Sequence, residues 1–156
     1  MGKPKKIQAS SLTAHIGYWM RLVSNNVSQA FARKLNANGV TVAEWVVLRE
    51  MYDGDASTSP GEIAALTNLT RGAISKLITR LLEKGLVHRQ ESAEDRRYQD
   101  IELTAKGRAL VPKLAVSADH NDEEFFNCLS AQERSRLLAL LQKLASHHQI
   151  KTVPIE

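Results

Sequence analysis

The side chains able to do chemistry concentrate in one stretch, Ser59 to Gly107. Arg71, Ser75, Lys76, Thr79 and Arg80 recur there at helical spacing, and Arg89, Asp95, Arg96 and Arg97 follow on a polar segment. The first set is chiefly cations and hydroxyls, the groups that bind phosphate oxygens and the acceptor edges of bases. At about 100° per residue, a helix from Thr70 to Lys84 places Gly72, Lys76, Thr79 and Glu83 on one side, with Ser75 and Arg80 flanking. Ile74, Leu77, Ile78 and Leu81 fall opposite. Gly72 lets the backbone come close to another surface, and Arg71 stands where the helix dipole already favours phosphate. An ordinary solvated surface helix has the same pattern, so this helix alone does not choose between water and nucleic acid.

The next segment does. Leu86 to Gln90 and Asp100 to Leu103 read as two strands joined by a polar loop, Glu91 to Gln99, with Arg96 and Arg97 near its tip. The DNA minor groove is narrow and negative, and an extended arginine enters it. Asp95 is spaced to hold Arg97 by a bidentate ion pair, aiming the guanidinium before DNA arrives. Arg96 and Arg89 then reach phosphates. A surface ion pair without a partner contributes little, and leaves the position of this loop, directly after two short helices, unexplained.

The surrounding elements must position these groups. Ser59-Pro60-Gly61-Glu62 is a capping box with proline at the first helical position; it opens a short helix ending near Leu66. Thr67-Asn68-Leu69 is a turn, Thr70 caps the next helix and Gly85 closes it. Upstream, apolar residues from Leu12 to Leu35 recur every three or four positions, predicting a helix from Ser11 to about Ala37, about 40 Å long. Thr41-Val42-Ala43-Glu44 is a second capping box, opening a helix to about Tyr52; Asp53-Gly54-Asp55 breaks it and Ala56 to Thr58 reads as a very short strand. Downstream, Thr104 caps a long helix to about Cys128, with Pro112 inside it as an expected kink. Ser130-Ala131-Gln132-Glu133 opens a last helix to about His148 carrying Leu137, Leu138, Leu140, Leu141 and Leu144, and a tail follows. The first and last helices have apolar stripes that a small central lobe does not cover. Exposed stripes mark an interface, so a homodimer built from both ends of the chain is expected; folding back on each other within one subunit is the alternative.

Totals are consistent with this plan. The chain has 156 residues, 43% hydrophobic and 24% charged, enough for one domain with a real core. Its net charge of +4 and pI near 9.3 favour an anionic partner without proving one. A single cysteine, Cys128, excludes an internal disulfide framework and fits a reducing compartment. No stretch approaches the ~20 apolar residues of a membrane helix, and the basic start, Met1 to Ser10, lacks the apolar run of a secretory signal. A cytoplasmic location is expected. The basic arm reads as a solvated tail or as a further phosphate contact.

Asp95-x-Arg97-x5-Leu103-Thr104-x2-Gly107 resembles the wing signature of the MarR family of winged helix-turn-helix regulators, as does Leu82-Glu83-Lys84-Gly85-Leu86-Val87 at the end of the second short helix. Trp45-x2-Leu48, the first long helix and the last two helices also fit that layout, so the resemblance covers about residues 11 to 148. It implies a mainly α fold with a small β-hairpin wing: a winged helix-turn-helix lobe over 41–104, flanked by dimerisation helices over 11–37 and 105–148. It implies two recognition helices in successive major grooves of double-stranded DNA with wings in flanking minor grooves. Arg97 is then the minor-groove arginine and Asp95 its partner; Ser75, Lys76 and Thr79 face bases, and Arg71 and Arg80 phosphates. Regulators of this kind often bind a small aromatic or anionic effector between the dimer helices and the DNA-binding lobe. His15, Tyr18, Trp19, Arg21 and Trp45 are the residues here that suit such a cleft; core packing and structural hydrogen bonds are the other reading of the same side chains.

Oxidation-sensing members of the family typically carry a cysteine near the start of the first helix; this chain has none there, and Cys128 reads as a buried, inert thiol. His120, Asp122, Glu123, His147 and His148 are metal-ligating types without a compact ligand spacing, so no metal or other cofactor is expected. No nucleophile–base pair or phosphate-binding glycine loop suggests catalysis. The expectation is a dimeric regulator, a ligand-responsive repressor on a pseudo-palindromic operator. A non-specific nucleoid-type DNA binder and a winged-helix protein-interaction module remain the competitors.

Overall fold

The computed structural model describes residues 9–54 and 57–155. Most of the basic arm lies outside the described residues, as do Asp55 and Ala56 at the expected helix break and Glu156 of the tail. The element order is α1 (Ile16–Ala37), α2 (Val42–Asp53), β1 (Ser57–Thr58), α3 (Pro60–Thr67), α4 (Arg71–Glu83), β2 (Val87–Glu91), β3 (Gln99–Leu103), α5 (Ala105–Phe125) and α6 (Ala131–His147).

The three capping boxes start helices where expected. The Thr41 hydroxyl accepts the Glu44 N–H at 3.3 Å, and Glu44 accepts the Thr41 N–H at 2.9 Å. Ser59 and Glu62 exchange the same pair of bonds, as do Ser130 and Glu133. Each box satisfies two backbone donors that a helix start leaves unpaired. Asn68 ends α3 with φ of 56°, and Gly85, with φ of 65°, turns the chain from α4 into β2.

The first helix departs from expectation. Leu12–Ala14 form a 3-10 turn, His15 is extended, and α1 begins only at Ile16. Local side chains compete with the helix here: the Trp19 indole donates to the Thr13 carbonyl at 2.9 Å, and the Ser10 hydroxyl bonds the His15 ring at 3.1 Å. At the other end of the chain α5 stops at Phe125 rather than near Cys128, after running unbroken through Pro112.

The sheet has three antiparallel strands in the order β1-β3-β2. Val87 pairs with Leu103 and Glu91 with Gln99, so the wing is a five-residue ladder; Ser57 and Thr58 pair with Glu102 and Ile101. Below it the core gathers Leu35 of α1, Val47, Leu48 and Met51 of α2, Ile63 of α3, Ile74, Leu77 and Leu81 of α4, the strand residues Val87, Ile101 and Leu103, and Val111 and Leu114 of α5. This is the core of the central lobe. Asn121 of α5, itself buried, donates to the Val27 carbonyl at 3.3 Å and accepts from Lys34 at 3.0 Å, fastening α5 to α1.

The junction of α5 with the lobe explains part of the wing signature. The Thr104 hydroxyl donates to the Gly85 carbonyl at 2.7 Å, and its N–H donates to the Leu86 carbonyl at 3.1 Å. Lys106 donates to the Lys84 carbonyl at 2.7 Å. Gly107 packs so close that a Cβ there would lie 2.2 Å from the Leu86 oxygen. Threonine and glycine at these positions let α5 start directly against the end of α4.

The outer helices do not cover each other within the chain. Ile16, Trp19, Met20, Leu22 and Val23 of α1 are exposed, whereas the later turns of α1 are covered by α2 and α5. In α6 no residue is buried, and Leu137, Leu138, Leu140, Leu141 and Leu144 all face outward. After α6 the chain turns at Gln149, with φ of 52°, and runs back to the lobe. The Val153 N–H donates to the Leu66 carbonyl of α3 at 3.4 Å, and Lys151 lines the groove between α2 and α3.

Candidate nucleic-acid interface

Helix α4 divides as its spacing predicts. Ile74, Leu77, Ile78 and Leu81 are buried, while Arg71, Gly72, Ser75, Lys76, Thr79 and Arg80 are exposed. Thr70 caps the helix, its hydroxyl accepting the Ala73 N–H at 3.3 Å. A Cβ added at Gly72 would meet nothing within 4 Å, so this part of the surface is open. The Thr79 hydroxyl donates back to the Ser75 carbonyl at 2.9 Å, leaving its lone pairs to face outward; it presents an acceptor where a donor was expected.

Arg71 and Ser75 of α4 meet Arg89 and Gln99 of the wing across a groove of about 370 Å³ whose far wall is Pro60 and Gly61 at the start of α3. Three of the expected contact residues thus share one concave surface. The wing carries the rest. The Asp95 carboxylate accepts from Arg97 Nε at 3.0 Å and from a terminal nitrogen at 2.6 Å, and also from the Arg97 backbone N–H at 3.0 Å. Tyr98 N–H bonds the Asp95 carbonyl, and Ser92 N–H the Tyr98 carbonyl, each at 3.0 Å, closing the loop behind the pair. The hydrogen bonds from Arg97 hold the Asp95 carboxyl below its ordinary range, and Asp95 in turn raises the Arg97 guanidinium further above its own. The Arg97 side chain remains 84% exposed. It is a fixed cation presented to solvent, with Arg96 exposed beside it. The exposed Tyr98 sits next to this pair and had no signal in the spacing.

Arg80 has a partner that sequence spacing did not reveal. Glu44, fully buried on α2, accepts from Arg80 Nε at 3.2 Å and from Lys84 at 2.7 Å, besides capping α2. Burial alone pushes the Glu44 carboxyl up; the hydrogen bonds from Lys84 and the Thr41 backbone, with the charges of Lys84 and Arg80, outweigh it and leave the group below its ordinary value. The capping box identified Glu44 as a local device, whereas its other bonds span 36 and 40 residues of sequence.

The five residues suited to an effector cleft are not brought together within one chain. Trp45 is buried edge-on against Phe31 and lines a cavity of about 290 Å³ with Val42, Val46, Arg49, Val153 and Pro154. Tyr18, Trp19 and Arg21 lie on the first turns of α1 and His15 just before it, about 15 Å or more along the helix from Phe31. Cys128 was expected to be buried; it is exposed, because it falls in the turn after α5, beyond the core and before a helix none of whose residues is buried. Among the described residues no three His, Cys, Asp or Glu side chains converge as a metal site, and no helix is long and apolar enough to cross a membrane.

Residues 38–97, the span from the end of α1 to the wing tip, match the sequence profile of the MarR family. Among solved structures, BpsR of Bordetella bronchiseptica, described for the regulation of its DNA binding by 6-hydroxynicotinic acid, superposes with a TM-score of 0.75 at 24% identity, covering 88% of this chain and 98% of that one. The reduced form of MarR from E. coli gives 0.74 at 25% identity, covering 83% and 96%. A cysteine-to-serine mutant of the same E. coli protein, in complex with operator DNA, gives 0.72 at 24%, covering 87% and 99%. The profile match over residues 38–97, the shared fold and the Asp95–Arg97 wing together support a winged-helix protein of the MarR family.

Proposed function

We propose that the protein is a sequence-specific repressor that binds a pseudo-palindromic operator in double-stranded DNA as a homodimer. Helix α4 enters the major groove, with Ser75, Lys76 and Thr79 toward bases and Arg71 and Arg80 toward phosphates; Gly72 permits close approach. Arg97 enters the minor groove, held by Asp95, while Arg89 and Arg96 meet the flanking backbone. The carrying observation is the Asp95–Arg97 pair, a guanidinium fixed through two of its nitrogens yet left open to solvent. The uncovered stripes of α1 and α6 support self-association, which supplies the second recognition helix at a fixed spacing. The operator complex of the E. coli relative supports the DNA partner.

A small aromatic or anionic effector fits the same scheme: it acts by binding one lobe spacing better than another. The cavity beside Trp45 supports a site at the α1–α2 junction, and the relative regulated by 6-hydroxynicotinic acid supports the ligand class. His15, Tyr18, Trp19 and Arg21 join that site only if a second subunit contributes them.

Selection of bound sites from random DNA, followed by a salt series on the selected and a scrambled duplex, tests the reading. Phosphate contacts give a steep salt dependence on both, and specific contacts add affinity on the selected site alone. Equal affinity for the two duplexes rejects a sequence-specific regulator in favour of a nucleoid-type binder. Unchanged DNA retention by Arg97→Ala supports the protein-interaction alternative; the expected result is a loss of about five- to hundred-fold.

A further inference from the structure

The geometry points to Glu44 as a positioning residue for DNA binding, one that sets the direction in which Arg80 is presented to a DNA phosphate. The inference rests on the DNA-binding reading of α4. Glu44 belongs to α2 and has no exposed surface, yet its carboxylate reaches two cations on the recognition helix. Capping α2 needs one oxygen toward Thr41, and an uncharged glutamine supplies that equally well. A buried charge is costly, so the additional bonds to Arg80 and Lys84 call for a further reason. Arginine offers five donors on a rigid planar group. Glu44 takes only the Nε edge at 3.2 Å, and among the described residues the two terminal nitrogens of Arg80 make no hydrogen bond. The side chain stays 48% exposed. One edge of the guanidinium is therefore anchored in the lobe while the rest is open to an anion in a fixed plane. Lys84, which donates to the other Glu44 oxygen at 2.7 Å, fixes the end of α4 against α2 in the same network. Arg80 is pre-oriented as Arg97 is, with the anchor buried instead of exposed.

The experiment is a salt series by fluorescence anisotropy on the selected duplex, with wild type, Glu44→Gln, Arg80→Ala and the double variant. Arg80→Ala is expected to reduce the slope of log K against log salt by about 0.9 for each phosphate that Arg80 neutralises. Glu44→Gln is expected to weaken binding by about three- to ten-fold, and to add almost nothing in the Arg80→Ala background. A purely structural Glu44 weakens binding equally in both backgrounds, and that result overturns the inference. Arg80→Lys keeps the charge but has no Nε edge, and leaves Glu44 intact should Glu44→Gln fail to fold. It is expected to bind more weakly than wild type with little change in slope; binding as tight as wild type overturns the inference. A wild-type protein that retains no duplex rejects the DNA-binding reading itself, whereas normal wild-type binding with an unaltered Arg80→Ala slope rejects only the role given to Glu44 and Arg80.

Discussion

Gly107→Ala should destabilise the protein, although glycine near a helix start is usually improved by alanine. The added Cβ would stand 2.2 Å from the Leu86 oxygen, 3.1 Å from Leu103 Cδ2 and 3.2 Å from the Leu86 carbonyl carbon. Carbon and carbonyl oxygen approach to about 3.3 Å, so α5 must retreat by about 1 Å. The obstructing atom is backbone and cannot swing aside. The same oxygen accepts the Thr104 N–H at 3.1 Å, so the retreat also strains the helix cap. Overpacking costs about 1–3 kcal/mol and a weakened hydrogen bond about 1 kcal/mol, while alanine returns at most about 1 kcal/mol of helix propensity. A net loss of about 1–3 kcal/mol follows, or roughly 2–12 °C in Tm for a chain of this size. Urea denaturation at one fixed protein concentration measures it, since the proposed self-association would make stability concentration-dependent. Gly72→Ala is the internal control: its Cβ meets nothing within 4 Å, so that variant should be as stable as wild type or gain about 0.5–1 kcal/mol. A Gly107→Ala protein as stable as the control would refute the claim that α5 is seated rigidly on the turn after α4.

Three further outcomes are expected. The Glu44 carboxyl titrates below its ordinary value of 4.5 in the folded protein, so its contribution is present above that pH and is lost as pH falls through the folded value. As pH falls below 4.5 wild type should therefore lose more stability than Glu44→Gln; Glu62, Asp95, Glu124 and Glu133, also lowered, act alike in both, and parallel curves would exclude the effect. Asp95→Asn keeps the acceptor for the Arg97 backbone N–H but removes the carboxylate charge that holds the guanidinium; Tm should not change, while DNA affinity falls about two- to ten-fold. Equal affinity in anisotropy titrations would show that Arg97 needs no aiming. Leu138→Lys with Leu141→Lys puts charge on the exposed face of α6 and should yield monomers in sedimentation velocity; a wild-type protein that sediments as a monomer at micromolar concentration, or a double variant that remains dimeric, rejects α6 as the contact.

What the sequence discloses here is mostly what acts over a few residues. Capping boxes are local, so Thr41, Ser59 and Ser130 marked helix starts correctly. The Asp95–Arg97 pair spans two positions and was legible for the same reason. Periodicity separated the buried from the exposed side of α4. Long-range partners were not legible: Glu44 looked complete as a cap, and only the packing of α2 on α4 brings it Arg80 and Lys84. The extended His15 was missed because the apolar stripe continues through a segment whose side chains compete with the helix. Cys128 was misread because burial depends on whether the neighbouring helix packs, and no residue of α6 is buried among the described residues.

The last residues bear on how α6 would meet a partner in the proposed dimer. Its first end is held by the turn from α5, where the Leu129 N–H bonds the Phe126 carbonyl at 3.1 Å, and beyond its second end Val153 is bonded to Leu66. An apolar helix fastened beyond both ends searches a much smaller set of orientations than one hinged at a single end. In the proposed dimer, association would then forfeit less rotational freedom, and a larger share of encounters would begin close to the productive alignment. The tail of such a dimer would work as a guy-line: cutting it would leave every leucine of α6 in place, yet slow the rate at which that face is captured.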